Sequence, residues 1–192
     1  MAERTKENKA ARFRHIGWPE YGSLVDRLTE KIRSGGKAFD LVIGIARGGI
    51  PGAMVIADDL GVKIDFINVK SYDGPEREEP RIISTITESV RDKNVLVVDD
   101  LVDDGDTLAV VREHLVKEEP KSISTAVLFR KPWSKVEPDY CLEVTDRWIV
   151  FPWERGELRR SFGKTLGQTT GDGLYNAILK ALHRFNNRDK TH

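Results

Sequence analysis

Four runs rich in apolar and β-branched residues, at 39–45, 64–69, 94–98 and 122–129, recur along the chain with stretches of helical period between them. Each run is short enough to be a strand. Ahead of the first, Leu24, Val25, Leu28 and Ile32 make a helical stripe that Gly35 and Gly36 stop. A second helix follows the loop 46–49, with Pro51 suited to an early helical position and an end near Gly61. Leu108, Val111 and Leu115 mark a third, and Asp172 begins a last one lined by Leu174, Ile178, Ala181, Leu182 and Phe185. Strand and helix in alternation predict an α/β fold: a doubly wound, largely parallel sheet flanked by helices. In such sheets ligands gather at the carboxyl ends of the strands.

One strand end carries most of the chemistry. Val95 to Val98 is apolar without alternation, as a strand covered on both faces requires, and it stops at Asp99 and Asp100. Leu101 and Val102 follow, then Asp103, Asp104, Gly105, Asp106 and Thr107 lead into the third helix. Gly105 permits the tight turn that lets N–H groups converge on an anion, and the helix N-terminus adds its own donors. Asp99, Asp100 and Asp103 contribute acceptors for sugar hydroxyls and oxygen ligands for Mg2+. Any one of these aspartates alone would be read as a cap or a solvated loop charge. Together they describe a sugar phosphate.

Composition narrows the partners. The chain has 192 residues, enough for one domain with a substantial core, and its 31 basic and 31 acidic residues cancel. No global field therefore favours nucleic acid or a membrane. A single cysteine, Cys141, excludes an internal disulfide and, without a secretory signal or long apolar span, points to the cytoplasm. Cys141 lies in a strand-like stretch with no nearby histidine and is read as core. His15, His114, His183 and His192 have no metal-ligand spacing. Gly163, Lys164 and Thr165 are rejected as a nucleotide P-loop because position 158 is Leu, and 44–52 is rejected as a dinucleotide fingerprint because position 46 is Ala.

The run from Val95 to Thr107 resembles the phosphoribosyl pyrophosphate (PRPP) motif of type I phosphoribosyltransferases: four apolar residues, two acids, two apolar residues, an Asp, then a small-residue loop ending in Thr. One departure stands out. Family members usually carry Thr or another small residue where this chain has Asp104, and an Asp there repels a dianion unless it turns away. The grip on the 5'-phosphate is then expected to rest on backbone N–H groups and Thr107. Arg47, Gly48 and Gly49 offer a cation beside unobstructed backbone. They resemble the pyrophosphate loop of the 6-oxopurine enzymes of this family, a likeness that implies a cis peptide between Ala46 and Arg47. Lys70, Ser71 and Tyr72, followed by a polar stretch from Asp73 to Pro80, resemble the loop that folds over PRPP and excludes water.

The base-binding end is similar to that of the xanthine-guanine and hypoxanthine-guanine enzymes of bacteria and archaea. By that likeness Lys131 reads the purine O6, Trp148 stacks on the base, and the Ile149 carbonyl meets an exocyclic group. Glu154, in the ending Pro152, Trp153, Glu154, contacts the base, a bound water or Mg2+. The resemblance further implies residues 16–192 as a single domain, with a small hood built from the N-terminal segment and about 131–160. Residues 1–15 are expected to form a mobile arm, and the chain to assemble as a homodimer or homotetramer.

The implied reaction is Mg2+-dependent transfer of 5-phosphoribosyl from PRPP to N9 of guanine, hypoxanthine or xanthine. In it Asp99 and Asp100 hold ribose hydroxyls and metal, Arg47 and its loop stabilise the leaving pyrophosphate, Lys70 and Tyr72 assist, and Asp103 accepts a proton from the base. Two alternatives stay open: a PRPP-sensing regulator of the same fold with little catalysis, and transfer to another base. The Lys131 cation disfavours adenine, whose amino group needs an acceptor. Val150 stands where xanthine-guanine enzymes tend to carry a polar or acidic residue, so the choice among 6-oxopurines is not fixed.

Overall fold

The computed structural model describes residues 13–70, 80–84 and 86–154. The described residues divide into two compact units, one holding those up to Tyr21 together with those from Asp146 onward, the other lying within Gly22–Thr145. Ser71, Tyr72, the stretch 73–79 and the final helix expected after Asp172 lie outside the described residues, as does the arm up to residue 12.

In chain order the elements are β1 (Phe13–His15), α1 (Trp18–Ser34), β2 (Leu41–Ala46), α2 (Gly49–Leu60), β3 (Lys63–Lys70), β4 (Arg81–Ser84), β5 (Asn94–Val102), α3 (Asp106–Val116), β6 (Ser122–Arg130), β7 (Tyr140–Val144) and β8 (Trp148–Val150). The larger unit holds a six-stranded sheet in the order β4-β3-β2-β5-β6-β7, parallel at every pairing except β3 with β4. The predicted α/β class and the parallel sheet are therefore present, flanked by α1, α2 and α3. The expected helical stripe of α1 is buried at Leu24, Val25, Leu28 and Ile32, and that of α3 at Leu108, Val111 and Leu115.

The period of two decides which helix each strand meets. Leu41, Ile43 and Ile45 of β2 with Val95 and Val97 of β5 cluster with the buried face of α3. Gly44 faces the other way, where a Cβ would meet Ala53 of α2 at 2.8 Å and Phe66 at 2.9 Å. Helices thus cover both faces, which is why these strands are buried throughout. Gly61 closes α2 in the left-handed region at φ 67, its N–H bonded back to the carbonyl oxygen of Asp58.

Strand β5 runs further than its apolar run predicts. Instead of ending at Val98 it continues through both acids to Val102, because β6 is nine residues long and goes on offering a parallel edge: Asp99 pairs with Val127, Leu101 with Phe129 and Val102 with Arg130. Asp65 on β3 fastens a neighbouring loop, its carboxylate accepting from the N–H groups of Phe66 (2.7 Å), Thr87 (2.5 Å) and Glu88 (2.8 Å). Burial alone would raise that carboxyl, but these donors outweigh it and hold it below the ordinary value.

The smaller unit pairs β1 with β8 in parallel, Phe13 with Trp148 through His15 with Val150. Its core is aromatic. Phe151 and Trp153 stack with centroids 4.9 Å apart and planes within 3°, and Tyr21 meets Trp153 edge-on at 4.9 Å.

Candidate active site

Strand order locates the site before any side chain is considered. From β2 the chain moves outward in one direction to β3, and β5 returns to the opposite side of β2, so the direction of winding reverses between β2 and β5. Loops leaving the carboxyl ends of two such strands diverge and leave a crevice. The loop after β2 carries Arg47, Gly48 and Gly49, and the loop after β5 carries Asp103, Asp104 and Gly105.

These two loops are fitted to each other. The last register pair between β2 and β5 is Gly44 with Val98, so Asp99 and Asp100 project just where β2 has ceased to pair. The first residues of the Arg47 loop fill that position. A Cβ on Gly48 would overlap the Asp100 carboxylate, and one on Gly49 would strike the carbonyl oxygen of Val98 and come within 3.1 Å of the Asp99 Cα. Gly48 has φ −62 and ψ −38, which any residue adopts, so it is space that requires glycine here. The peptide between Ala46 and Arg47 is cis. Gly49 starts α2 beside Arg47, and the Ile50 N–H bonds back to the Arg47 carbonyl oxygen at 3.2 Å.

Asp99 and Asp100 stand side by side, the N–H of Asp100 donating to Asp99 Oδ1 at 2.9 Å. Burial, then the charge of Asp100, pushes the Asp99 carboxyl well above its ordinary value. A site that strains to keep two adjacent carboxylates ionised suits a cation or sugar hydroxyls brought in with a ligand.

The loop after β5 turns at Gly105, which has φ 99 and sits against Val136, with 2.7 Å from a built Cβ to Val136 Cγ2. Asp106 and Thr107 open α3. Asp106 turns to Lys135, with 3.4 Å between Oδ1 and Nζ. Asp104 folds back on the loop, Oδ1 accepting the Asp106 N–H at 3.0 Å. That N–H is among those the sequence reserves for a phosphate. In this structure an internal carboxylate holds it.

Lys131 follows β6 and is 5% exposed, unusual for a lysine. Its N–H donates to the carbonyl oxygen of Val102 at 2.9 Å, tying the proposed base reader to the β5 loop. Its Nζ lies 5.6 Å from the centre of the Trp133 ring. Trp133 was not singled out by sequence reasoning, yet its indole N–H donates to Asp103 Oδ1 at 2.7 Å. The available signal was a tryptophan two positions past a candidate lysine, which has no recognisable period.

Lys70 ends β3 opposite Arg81 of β4. In the smaller unit, Trp148 is exposed, Ile149 is buried, and Glu154 closes its own turn, Oε2 accepting the Phe151 N–H at 2.8 Å. Cys141, expected to be core, is half-buried in β7, and burial pushes its thiol up.

Comparison with known proteins agrees with this geometry. Residues 17–159 match the model of the phosphoribosyl transferase domain family. A xanthine-guanine phosphoribosyltransferase of Cereibacter sphaeroides is 33% identical over 162 residues, covering 80% of this chain and 92% of that protein. One of Gluconobacter oxydans is 36% identical over 125 residues, covering 62% of this chain and 71% of that protein. The crystal structure of a purine phosphoribosyltransferase from Pyrococcus horikoshii superposes with a TM-score of 0.67 at 38% identity, covering 74% of this chain and 93% of that one. With most of its length matched, and with the Arg47 loop and the acidic pair meeting at the switch point, the chain belongs to the phosphoribosyltransferase family of pentosyl-transferring enzymes, in the branch whose named members are purine phosphoribosyltransferases.

Proposed function

We propose that the chain transfers the 5-phosphoribosyl group of PRPP to N9 of a 6-oxopurine, guanine, hypoxanthine or xanthine, releasing pyrophosphate. The observation that carries this reading is the fit of Gly48 against the Asp100 carboxylate. It supports reading the Arg47 loop as the pyrophosphate loop and Asp99 with Asp100 as the ribose-binding pair of one crevice.

In the transition state positive charge gathers on the ribose and negative charge on the departing pyrophosphate. Arg47 and the N–H groups of Gly48 and Gly49 meet the second, while Asp99 and Asp100 accept from the ribose hydroxyls and face the first. Lys70 adds a cation at the end of β3. Ser71 and Tyr72, outside the described residues, are assigned to PRPP by their likeness to the family loop alone. The 5'-phosphate takes the remaining N–H groups of the Gly105 turn, Asp106 and Thr107, displacing the Asp104 carboxylate. Asp103 accepts the proton of the purine imidazole as N9 attacks.

Asp99 and Asp100 would hold Mg2+. Among the described residues no group of three or more acidic, His or Cys ligands gathers. Two carboxylates suit a Mg2+ that keeps water and takes its other oxygens from the substrate. When bound, it neutralises pyrophosphate charge.

For the base, Lys131 donates to O6; Trp148 as stacking face, Ile149 as carbonyl and Glu154 as carboxylate are assigned by the family likeness alone. Assembly as a homodimer or homotetramer in the cytoplasm belongs to the same reading. Among the described residues no helix is long and apolar enough to cross a membrane.

The test is an assay with PRPP, Mg2+ and each of guanine, hypoxanthine, xanthine and adenine, scoring nucleotide and pyrophosphate. Product from at least one 6-oxopurine and none from adenine is expected. No product from any base, with PRPP bound, would turn the reading to a PRPP-sensing regulator.

A further inference from the structure

The residues after β6 run alongside the loop after β5 and touch it at nearly every step. The Lys131 N–H bonds the carbonyl oxygen of Val102 at 2.9 Å, and the Lys135 N–H bonds that of Asp104 at 3.0 Å. The Val136 side chain lies against Gly105, and Lys135 Nζ faces Asp106. A turn closed by the Ser134 N–H on the Lys131 carbonyl oxygen, at 3.1 Å, sets Trp133 at the middle of this strap. There its indole N–H reaches Asp103 Oδ1 at 2.7 Å. The backbone bonds on either side of Asp103 fix where the carboxylate starts, and the indole fixes which way it points.

We propose that Trp133 is a positioning residue for Asp103, holding Oδ1 so that the other carboxylate oxygen is aimed at the purine imidazole proton. This rests on the reading of Asp103 as the proton acceptor. The ring itself is 57% exposed, an unfavourable place for a large aromatic unless something is gained from its polar edge. An indole is suited to the task because it donates only: it neither takes a proton from the carboxylate nor carries a charge that would oppose the imidazole proton's departure. The same strap carries Lys131, whose ammonium lies 5.6 Å from the Trp133 ring centre. The group that reads O6 and the group that takes the proton are thus set by one turn of chain. A purine seated on Lys131 meets a carboxylate already oriented, which is the condition under which proximity lowers a barrier.

The experiment is a double-mutant cycle with the full-length chain, measuring kcat and both KM values for Trp133→Phe, Asp103→Asn and the double variant on the best purine. Trp133→Phe keeps the ring and removes the donor. It is expected to lower kcat about tenfold, as loss of orientation does, with both KM values within about twofold. In the Asp103→Asn background it is expected to cost nothing further. Trp133→His, which retains a ring N–H, is expected to recover part of the loss. Unchanged kcat in Trp133→Phe overturns the proposal, as does a tenfold loss that persists beside Asp103→Asn, since a merely structural role would add in both backgrounds. Should Trp133→Phe melt earlier, the cycle is read at a temperature where all variants are folded. Undiminished turnover in Asp103→Asn alone strikes the proton-acceptor reading itself, whereas an impaired Asp103→Asn beside a normal Trp133→Phe strikes only the role of Trp133.

Discussion

Gly48 lies so close to Asp100 that no side chain can stand between them: a Cβ at position 48 would overlap the carboxylate itself. Its neighbour Gly49 is excluded from carrying a side chain for a different reason, because there the obstacle is the backbone carbonyl oxygen of Val98. A carboxylate at the end of a short side chain can rotate aside, while a strand backbone cannot. The two glycines should therefore fail differently. Gly48→Ala is expected to fold normally and to lose about 100-fold in kcat/KM as the Asp100 carboxylate is displaced from the ribose. Gly49→Ala is expected to lower the melting temperature by pushing α2 off β5. Paired melting curves and kinetics check both, and a fully active Gly48→Ala would remove the contact from the function.

The pair Asp99 and Asp100 predicts a pH-dependent stability. Burial, then the neighbouring charge, raises the native Asp99 carboxyl well above its ordinary value near 3.8. The native state then holds a proton that the unfolded chain has released, so the contribution of Asp99 to stability is greatest below about pH 3.8 and falls as pH rises from there until the native carboxyl ionises. Asp99→Asn removes this loss. It is expected to raise the melting temperature of the free protein at about pH 7, with the gain shrinking to nothing below the unfolded value, while turnover is lost. Mg2+ with PRPP should stabilise the wild type more than the variant. A variant that melts no higher than wild type near pH 7 would contradict the raised carboxyl.

Asp104 already holds the Asp106 N–H that a phosphate would use. Binding the 5'-phosphate then requires an internal carboxylate to leave and remain near a dianion. Asp104→Thr removes the competitor and restores a hydroxyl donor. Its PRPP KM is expected to fall about threefold to tenfold, with kcat little changed, since the interaction is the same in ground and transition states. A raised PRPP KM would mean that Asp104 serves the loop by capping it more than it obstructs the ligand.

Much of this site is legible in the amino-acid order because its parts are contiguous. Asp99 to Thr107 and Arg47 to Gly49 each lie at one strand end, where a run of apolar residues stops and a helix begins. What is not legible comes from pairing at a distance. The extension of β5 to Val102 depends on the length of β6, and nothing in Asp99 or Asp100 announces it. Glu154, expected at the base, caps the Phe151 N–H, and an acid three residues along in a turn has that local option whatever else it does. The strap from Lys131 to Val136 has no period, and its partners lie some thirty residues upstream. The β1–β8 pair joins segments far apart in the sequence, and three-residue strands carry too little pattern to be seen alone.

Lys131 gives the sharpest test of base recognition. Its side chain is almost wholly buried, and burying a lysine is costly unless its ammonium is engaged. The strap fixes its backbone to Val102, which sets where the side chain starts. Lys131→Met keeps the length and apolar stem and removes the donor. For each 6-oxopurine that the wild type accepts, kcat/KM is expected to fall about 10- to 100-fold, the range for losing one hydrogen bond from a charged donor. PRPP binding, measured by titration without base, should change by less than about twofold, because the cation is assigned to the purine alone. Adenine offers the counter-measure. The wild-type cation sets a donor against adenine's amino donor and gains nothing from it, so Lys131→Met should narrow the gap between hypoxanthine and adenine, chiefly from the hypoxanthine side. Equal losses for PRPP binding and for base would instead make the Lys131 ammonium a support of the whole site, since the backbone bond to Val102 is kept in the variant.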